Sequence, residues 1–163
     1  MSLEAQMTQY RFLRQYGEGL LADIDAEDAF RPVHENGHHP AWIIGHLATI
    51  GSRGIAMLGG QPPIDLEEWS PRFGIGSEPT NDPGDGPSWD ELIAAWRATH
   101  DVADEVGREA SVALLNKPNP IERRRDTLPT TGDMAGFIFS SHEAVHLGQL
   151  SAWRRVQGRP RLF

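Results

Sequence analysis

Two histidines stand four residues apart in Ser141-His142-Glu143-Ala144-Val145-His146-Leu147-Gly148-Gln149. On a helix that spacing puts both imidazoles on one side, about 6 Å apart along the axis, where they can converge on one point. This is the spacing of a metal-ligand pair. Alone it is weak evidence, because two histidines at this spacing arise by chance in many helices. A useful site needs a third donor, and the best candidate is His46, in the apolar segment His39-Pro40-Ala41-Trp42-Ile43-Ile44-Gly45-His46-Leu47.

The residues around these three have competing readings. His142-Glu143-Ala144-Val145-His146 fits the His-Glu-x-x-His expression of zinc proteases, in which the glutamate is the general base. No third ligand follows in the remaining Leu147 to Phe163, which argues against a protease and leaves Glu143 equally readable as a solvent-facing acid. His100 falls on an apolar stripe beside Trp96; it is a candidate catalytic base or fourth ligand, against the commoner satisfied core histidine. Gln149, just beyond His146, is a candidate to orient a ligand or substrate, and Trp42 a candidate pocket wall. His34, His38 and His39 sit in or beside a loop and read as solvent-exposed. Arg123-Arg124-Arg125 reads as a solvated loop cluster, and Asp25, Glu27 and Asp28 as surface.

Four amphipathic stretches must position these groups. Leu3, Met7, Tyr10, Leu13, Gly17, Leu20, Leu21 and Ile24 recur at steps of three and four, which predicts a first helix over roughly 3–24. A polar connection containing Pro32, Asn36 and Gly37 leads to Pro40, suited to a first helical turn because its missing N–H has no partner there anyway. The second helix carries Trp42, His46, Ile50 and Met57 until Gly59-Gly60 stops it. Gln61 to Pro87 is rich in Pro and Gly and reads as a long connection unable to hold a helix for long, either a crossover or a functional loop. Ser88-Trp89-Asp90-Glu91 has the form of a capping box and opens a third helix ending near Gly107. Residues 111–130 read as a loop with room for one helical turn. Thr130 or Thr131 caps the last helix, about 131–157, with Asp133 in its first turn and Gly158 then Pro160 beyond its end. With no segment of strand period, this predicts an all-α, single-domain four-helix bundle over 1–163 with a long connection between helices 2 and 3.

The balance of 15 Lys and Arg against 23 Asp and Glu, a formal charge of -8, opposes phosphate backbones and anionic lipid, so neither nucleic acid nor a membrane is an expected partner. With no cysteine there is no disulfide, thiolate ligand or protein thiol nucleophile, so thiol chemistry would need a thiol brought in as a substrate. A chain of 163 residues buries about two thirds of its unfolded surface without help, which makes a bound metal functional rather than structural. The first residues carry no basic-then-apolar leader and no apolar run reaches the ~20 residues of a membrane span, giving the expectation of a soluble, cytoplasmic protein.

Pro40-Ala41-Trp42-Ile43-Ile44-Gly45-His46-Leu47 on the second helix, with His142-Glu143-Ala144-Val145-His146-Leu147-Gly148-Gln149-Leu150 on the last, resembles the DinB/YfiT-like family of metalloenzymes. The resemblance covers almost the whole chain in order, and the trailing Trp153-Arg154-Arg155 and Gly158 are also similar to the family. It implies a divalent metal at one end of the bundle, held by His46, His142 and His146. Three neutral imidazoles leave coordination positions for water or substrate, as in catalytic zinc sites. Zn or Ni suits such nitrogen ligands; Fe is less favoured without a carboxylate. The resemblance further implies a homodimer, and a transferase or isomerase using a low-molecular-weight thiol as cosubstrate with a small-molecule substrate. Aromatic residues on more than one face, Tyr10, Phe12, Tyr16, Phe137 and Phe139, support the dimer. A metal-dependent hydrolase with Glu143 or His100 as base, and a non-catalytic metal- or ligand-binding stress-response bundle, are the alternatives.

Overall fold

A computed structural model describes residues 2–34, 37–81 and 84–162; Asn36 and Pro83, read above as connection residues, lie outside them. Helix α1 (Glu4–Leu21) buries Met7, Tyr10, Leu13, Gly17, Leu20 and Leu21, the stripe its periodicity predicts. It stops short of Ile24, and a single turn, α2 (Ala26–Ala29), follows with the Asp25 carboxylate accepting from the Asp28 N–H. Helix α3 (Pro40–Met57) is buried almost all round, because it lies at the centre of the bundle and its side chains are mostly Ala, Ile and Gly. Helix α5 (Trp89–Glu109) opens on the expected Ser88–Glu91 capping box, after the intervening α4 (Leu66–Phe73). The segment 111–130 holds one turn, α6 (Val112–Leu115), and a 3-10 turn at Glu122–Arg124. The last helix starts as α7 (Thr131–Phe137), capped by Thr130 with Asp133, passes through a π turn (Ile138–His142), and continues as α8 (Glu143–Val156).

Four bars, α1, α3, α5 and α7–α8, form the bundle. Helix α3 packs on α5 and α8, and α1 packs on α5 and α8. One apolar cluster centres on Ile43, Leu47, Trp96, Leu147 and Trp153, and a second on Met7, Tyr10, Ile50 and Phe139. Each such side chain removed from water contributes about 1.5–3 kcal/mol, so the bundle has a core independent of any metal. Of the aromatic residues expected on several faces, Tyr10 and Phe139 are core while Phe12 and Phe137 point outward. Among the described residues no helix is long and apolar enough to cross a membrane.

The connection between the second and third bars departs from the sequence reading by holding α4. Asp65 caps it by accepting from the N–H groups of Glu67 and Glu68, and Trp69 and Phe73 bury against α3. Pro71 stands inside this short helix, so the intrahelical bond that an N–H there would make to the Glu67 carbonyl is given up near the helix end. The contact is close because α3 offers a glycine there: a Cβ at Gly45 would lie 2.5 Å from Phe73 Cδ1.

Core positions Ala135, Phe139, Glu143 and Leu147 come at steps of four. In an α-helix each such step drifts about 40° off the buried face. The π turn takes back part of that drift, and Ser140 Oγ–H donates to the Gly136 carbonyl at 2.6 Å beside it. The consequence is a Glu143 that faces inward, with His142 and His146 on the flank turned toward α3.

Candidate metal centre

His46, His142 and His146 come together where α3 meets α8. Their ring centroids form a triangle of 5.1 Å (46–142), 4.6 Å (46–146) and 4.6 Å (142–146), and one nitrogen from each lies within 4.8 Å of the others. Hydrogen bonds fix which nitrogen two of the rings offer. The His46 Nδ1–H donates to the Phe73 carbonyl at 2.7 Å, and the His146 Nδ1–H donates to Gln149 Oε1 at 2.9 Å. Both rings therefore keep an Nε2 lone pair for the centre, the arrangement by which second partners orient metal-binding histidines.

His46 Nε2 and His142 Nε2 stand 3.1 Å apart. Two nitrogen ligands about 2.0–2.1 Å from a tetrahedral ion would stand about 3.3 Å apart, so the separation suits a shared cation. Burial, then the neighbouring His146 imidazole, lowers His46 to about 4 and His142 to about 3. Burial also lowers His146. All three are thus neutral near pH 7, the form that ligates, and the residues present fit a divalent metal ion.

The anchoring of His46 passes through α4, so it depends on Gly45. In Gly45→Ala the added methyl must displace Phe73, whose carbonyl holds the His46 ring. We expect a loss of about 1–3 kcal/mol on thermal unfolding, together with weaker zinc binding in a competition titration. Unchanged stability and affinity would mean that Phe73 and its carbonyl move independently of the site.

Trp42 lies flat on His46, with centroids 4.7 Å apart and 11° between planes, and its Nε1–H donates to Ser77 Oγ at 3.1 Å. On Trp42 is stacked His38, 3.8 Å away, with its Nδ1 3.5 Å from Gln149 Oε1. His38 is exposed, as its loop position predicts, yet it belongs to the rim of the site. His39, read as exposed, is buried: its Nδ1 accepts from the Trp42 N–H as the N-cap of α3 and its Nε2–H donates to the Thr80 carbonyl at 2.9 Å.

Glu143 is no solvent-facing acid. It is 2% exposed, and its Oε1 accepts from the Trp96 Nε1–H at 2.9 Å and the His100 Nε2–H at 3.0 Å. Tyr10 stacks on His100 at 3.8 Å. This cluster ties α8 to α5 and α1 one residue after His142 of the triad. His100 and Glu143 are hydrogen-bonded to each other within the core, and Trp96 donates to the same carboxylate oxygen.

A model of the DinB superfamily matches residues 9–150, from the first turns of α1 to Leu150 and including all three histidines of the triad. The chain belongs to the DinB superfamily. No curated protein and no solved structure matches it significantly. In this DinB bundle the three-histidine cluster can hold a metal ion, and the matched span also takes in His38, Trp42, Glu143 and Gln149. The sequence reading named Arg154 only within the trailing Trp153-Arg154-Arg155 and gave it no role. Arg154 is 3% exposed, donates to the Leu20 carbonyl at 2.7 Å and pairs with Asp23, closing α8 onto the end of α1.

Proposed function

We propose that this DinB protein is a metal-dependent enzyme, a transferase or isomerase that joins a low-molecular-weight thiol to a small electrophilic substrate. The observation that carries the reading is the convergence of three neutral imidazoles, two with their lone pairs directed by the Phe73 carbonyl and the Gln149 amide, in a chain with no cysteine to compete. Zn or Ni suits the donor set best, with Fe less favoured. A divalent ion there lowers the pKa of a bound thiol or water into the neutral range.

The chain's own residues supply position. His46, His142 and His146 hold the ion, Trp42 walls the pocket, and Gln149 fixes the His146 tautomer beside the entering substrate. Glu143 and His100 act from behind by holding α8 in register. The hydrolase alternative needs Glu143 or His100 as base, and the mutual hydrogen bond of that buried pair favours the thiol reading. On the same reading the enzyme works in the cytoplasm as a homodimer, with the exposed Phe12 and Phe137 in support of association.

The test is to offer metal-loaded protein a panel of electrophiles with several low-molecular-weight thiols and to follow thiol consumption. Turnover that needs the thiol and vanishes in His46→Ala, His142→Ala and His146→Ala is expected. Equal hydrolysis with no thiol would favour the hydrolase, and full function without the triad would favour a non-catalytic bundle.

A further inference from the structure

A cavity of about 370 Å³ opens beside the metal centre, lined by Val33, His38, Gln149, Ala152, Trp153 and Val156 among others. It is joined to the triad by two side chains. Gln149 Oε1 accepts from the ligand His146, and His38 lies on Trp42, which lies on the ligand His46. A molecule in the cavity would therefore present one end to His38 and Gln149, the groups that adjoin the triad, and rest its body against α8. The volume falls within the range of small-molecule sites, about 300–1,000 Å³.

The lining defines the class of that molecule. Among the described lining residues there is no carboxylate, ammonium or guanidinium. Arg159, over the Trp153 ring, is itself paired with Asp28. Among the described lining residues a cationic ligand finds no counter-charge, and a phosphorylated or polyanionic one finds no fork of N–H donors. Ala152, Val156 and Val33 offer apolar surface over the buried Trp153, and Val156 is left 64% exposed. At the metal end the polar groups are the His38 imidazole and the Gln149 amide. With Oε1 already accepting, the two N–H bonds of that amide remain as donors, and among the described residues nothing takes them.

We propose that this cavity binds the uncharged, apolar body of the substrate, with a carbonyl or hydroxyl oxygen held at Gln149 and His38. The assignment of that body to the thiol's reaction partner rests on the function proposed above.

The experiment uses the full-length protein, metal-free and zinc-loaded, with three probes that share one ring system and differ in charge: 2-naphthol, 2-naphthoate and 2-naphthylmethylammonium. Equilibrium dialysis at pH 7 gives the affinities. No thiol and no turnover enter the measurement, so the cavity and the thiol reading can fail separately. On metal-free protein 2-naphthol should bind at least about tenfold more tightly than either charged probe. Ala152→Trp, at an exposed helix position, should fill the cavity and cost about tenfold or more, whereas Ala94→Trp on the exposed face of α5 should change nothing. Val156→Arg should reverse the preference by strengthening 2-naphthoate. Helicity and zinc content should stay at parent values in all three variants. Charged probes binding as well as 2-naphthol would overturn the proposal. So would 2-naphthol binding that survives Ala152→Trp, or an Ala152→Trp protein whose only change is a lower mass by light scattering, the mark of a face covered by a second copy of the chain.

Discussion

His142→Ala protein, purified without an affinity tag and reconstituted with Zn or Ni, is expected to hold less than about a tenth of the roughly one ion per chain held by the parent. Two imidazoles remain in that variant, and two nitrogen donors do not retain a divalent ion against buffer and water. The change is confined to the site, because the bond the structure gives to the His142 ring goes to His46 within the triad. The helices, built on apolar clusters that exclude His142, should keep their circular dichroism signal and their metal-free stability. Elemental analysis reads the result directly. A variant with parental metal content would place the donors elsewhere in the bundle.

Glu143→Ala is expected to act on the fold instead. It removes the acceptor of two buried donors, the Trp96 Nε1–H and the His100 Nε2–H, and leaves a void between α8 and α5. Unsatisfied buried donors cost about 1–3 kcal/mol each. With the lost packing, a destabilisation of about 2–5 kcal/mol is expected, or roughly ten degrees in melting temperature for a chain of this size. Glu143→Gln keeps the shape and one acceptor oxygen and should cost less than half as much. Thermal unfolding of the two metal-free variants beside the parent checks this. A change below about 0.5 kcal/mol in Glu143→Ala would show the carboxylate to be hydrated in solution.

These outcomes follow from features that differ in how far the sequence discloses them. The Ser88–Glu91 box is local chemistry and could be read directly, as could the stripe that carries His46 into the core; at the last helix the sequence left Thr130 and Thr131 open, and the structure gives Thr130 boxed with Asp133. The spacing of His142 and His146 placed them on one face, and the fold supplied what spacing lacks, the meeting with α3. Helix α4 was obscured by the Pro and Gly around it, since its stability comes from packing on α3, with Phe73 against Gly45, a tertiary contact. A local sign was nonetheless present in Asp65 followed by Glu67 and Glu68, a cap with acids in the first turn.

Glu143 also left a sign, standing four residues from Phe139 and four from Leu147, both core positions. Its charge made the solvent-facing reading look equally good, and only the partners on α5 show why a carboxylate is tolerated there. His38 left none. It lies outside any helix, and its place depends on stacking with Trp42, which no periodicity encodes. Arg154 sits in a last turn where a basic residue normally answers the helix dipole; its burial depends on α1 ending beside it, with Leu20 and Asp23 as partners.

We propose that His46, His142 and His146 jointly ligate one divalent ion. X-ray absorption at the zinc edge of stoichiometrically loaded protein tests it most directly, because imidazole rings give a characteristic multiple-scattering pattern. Three imidazole nitrogens at about 2.0–2.1 Å are expected, with the remaining coordination supplied by exchangeable oxygen ligands. A first shell of carboxylate oxygens with one imidazole or none, or protein that takes up no zinc at all, would contradict it.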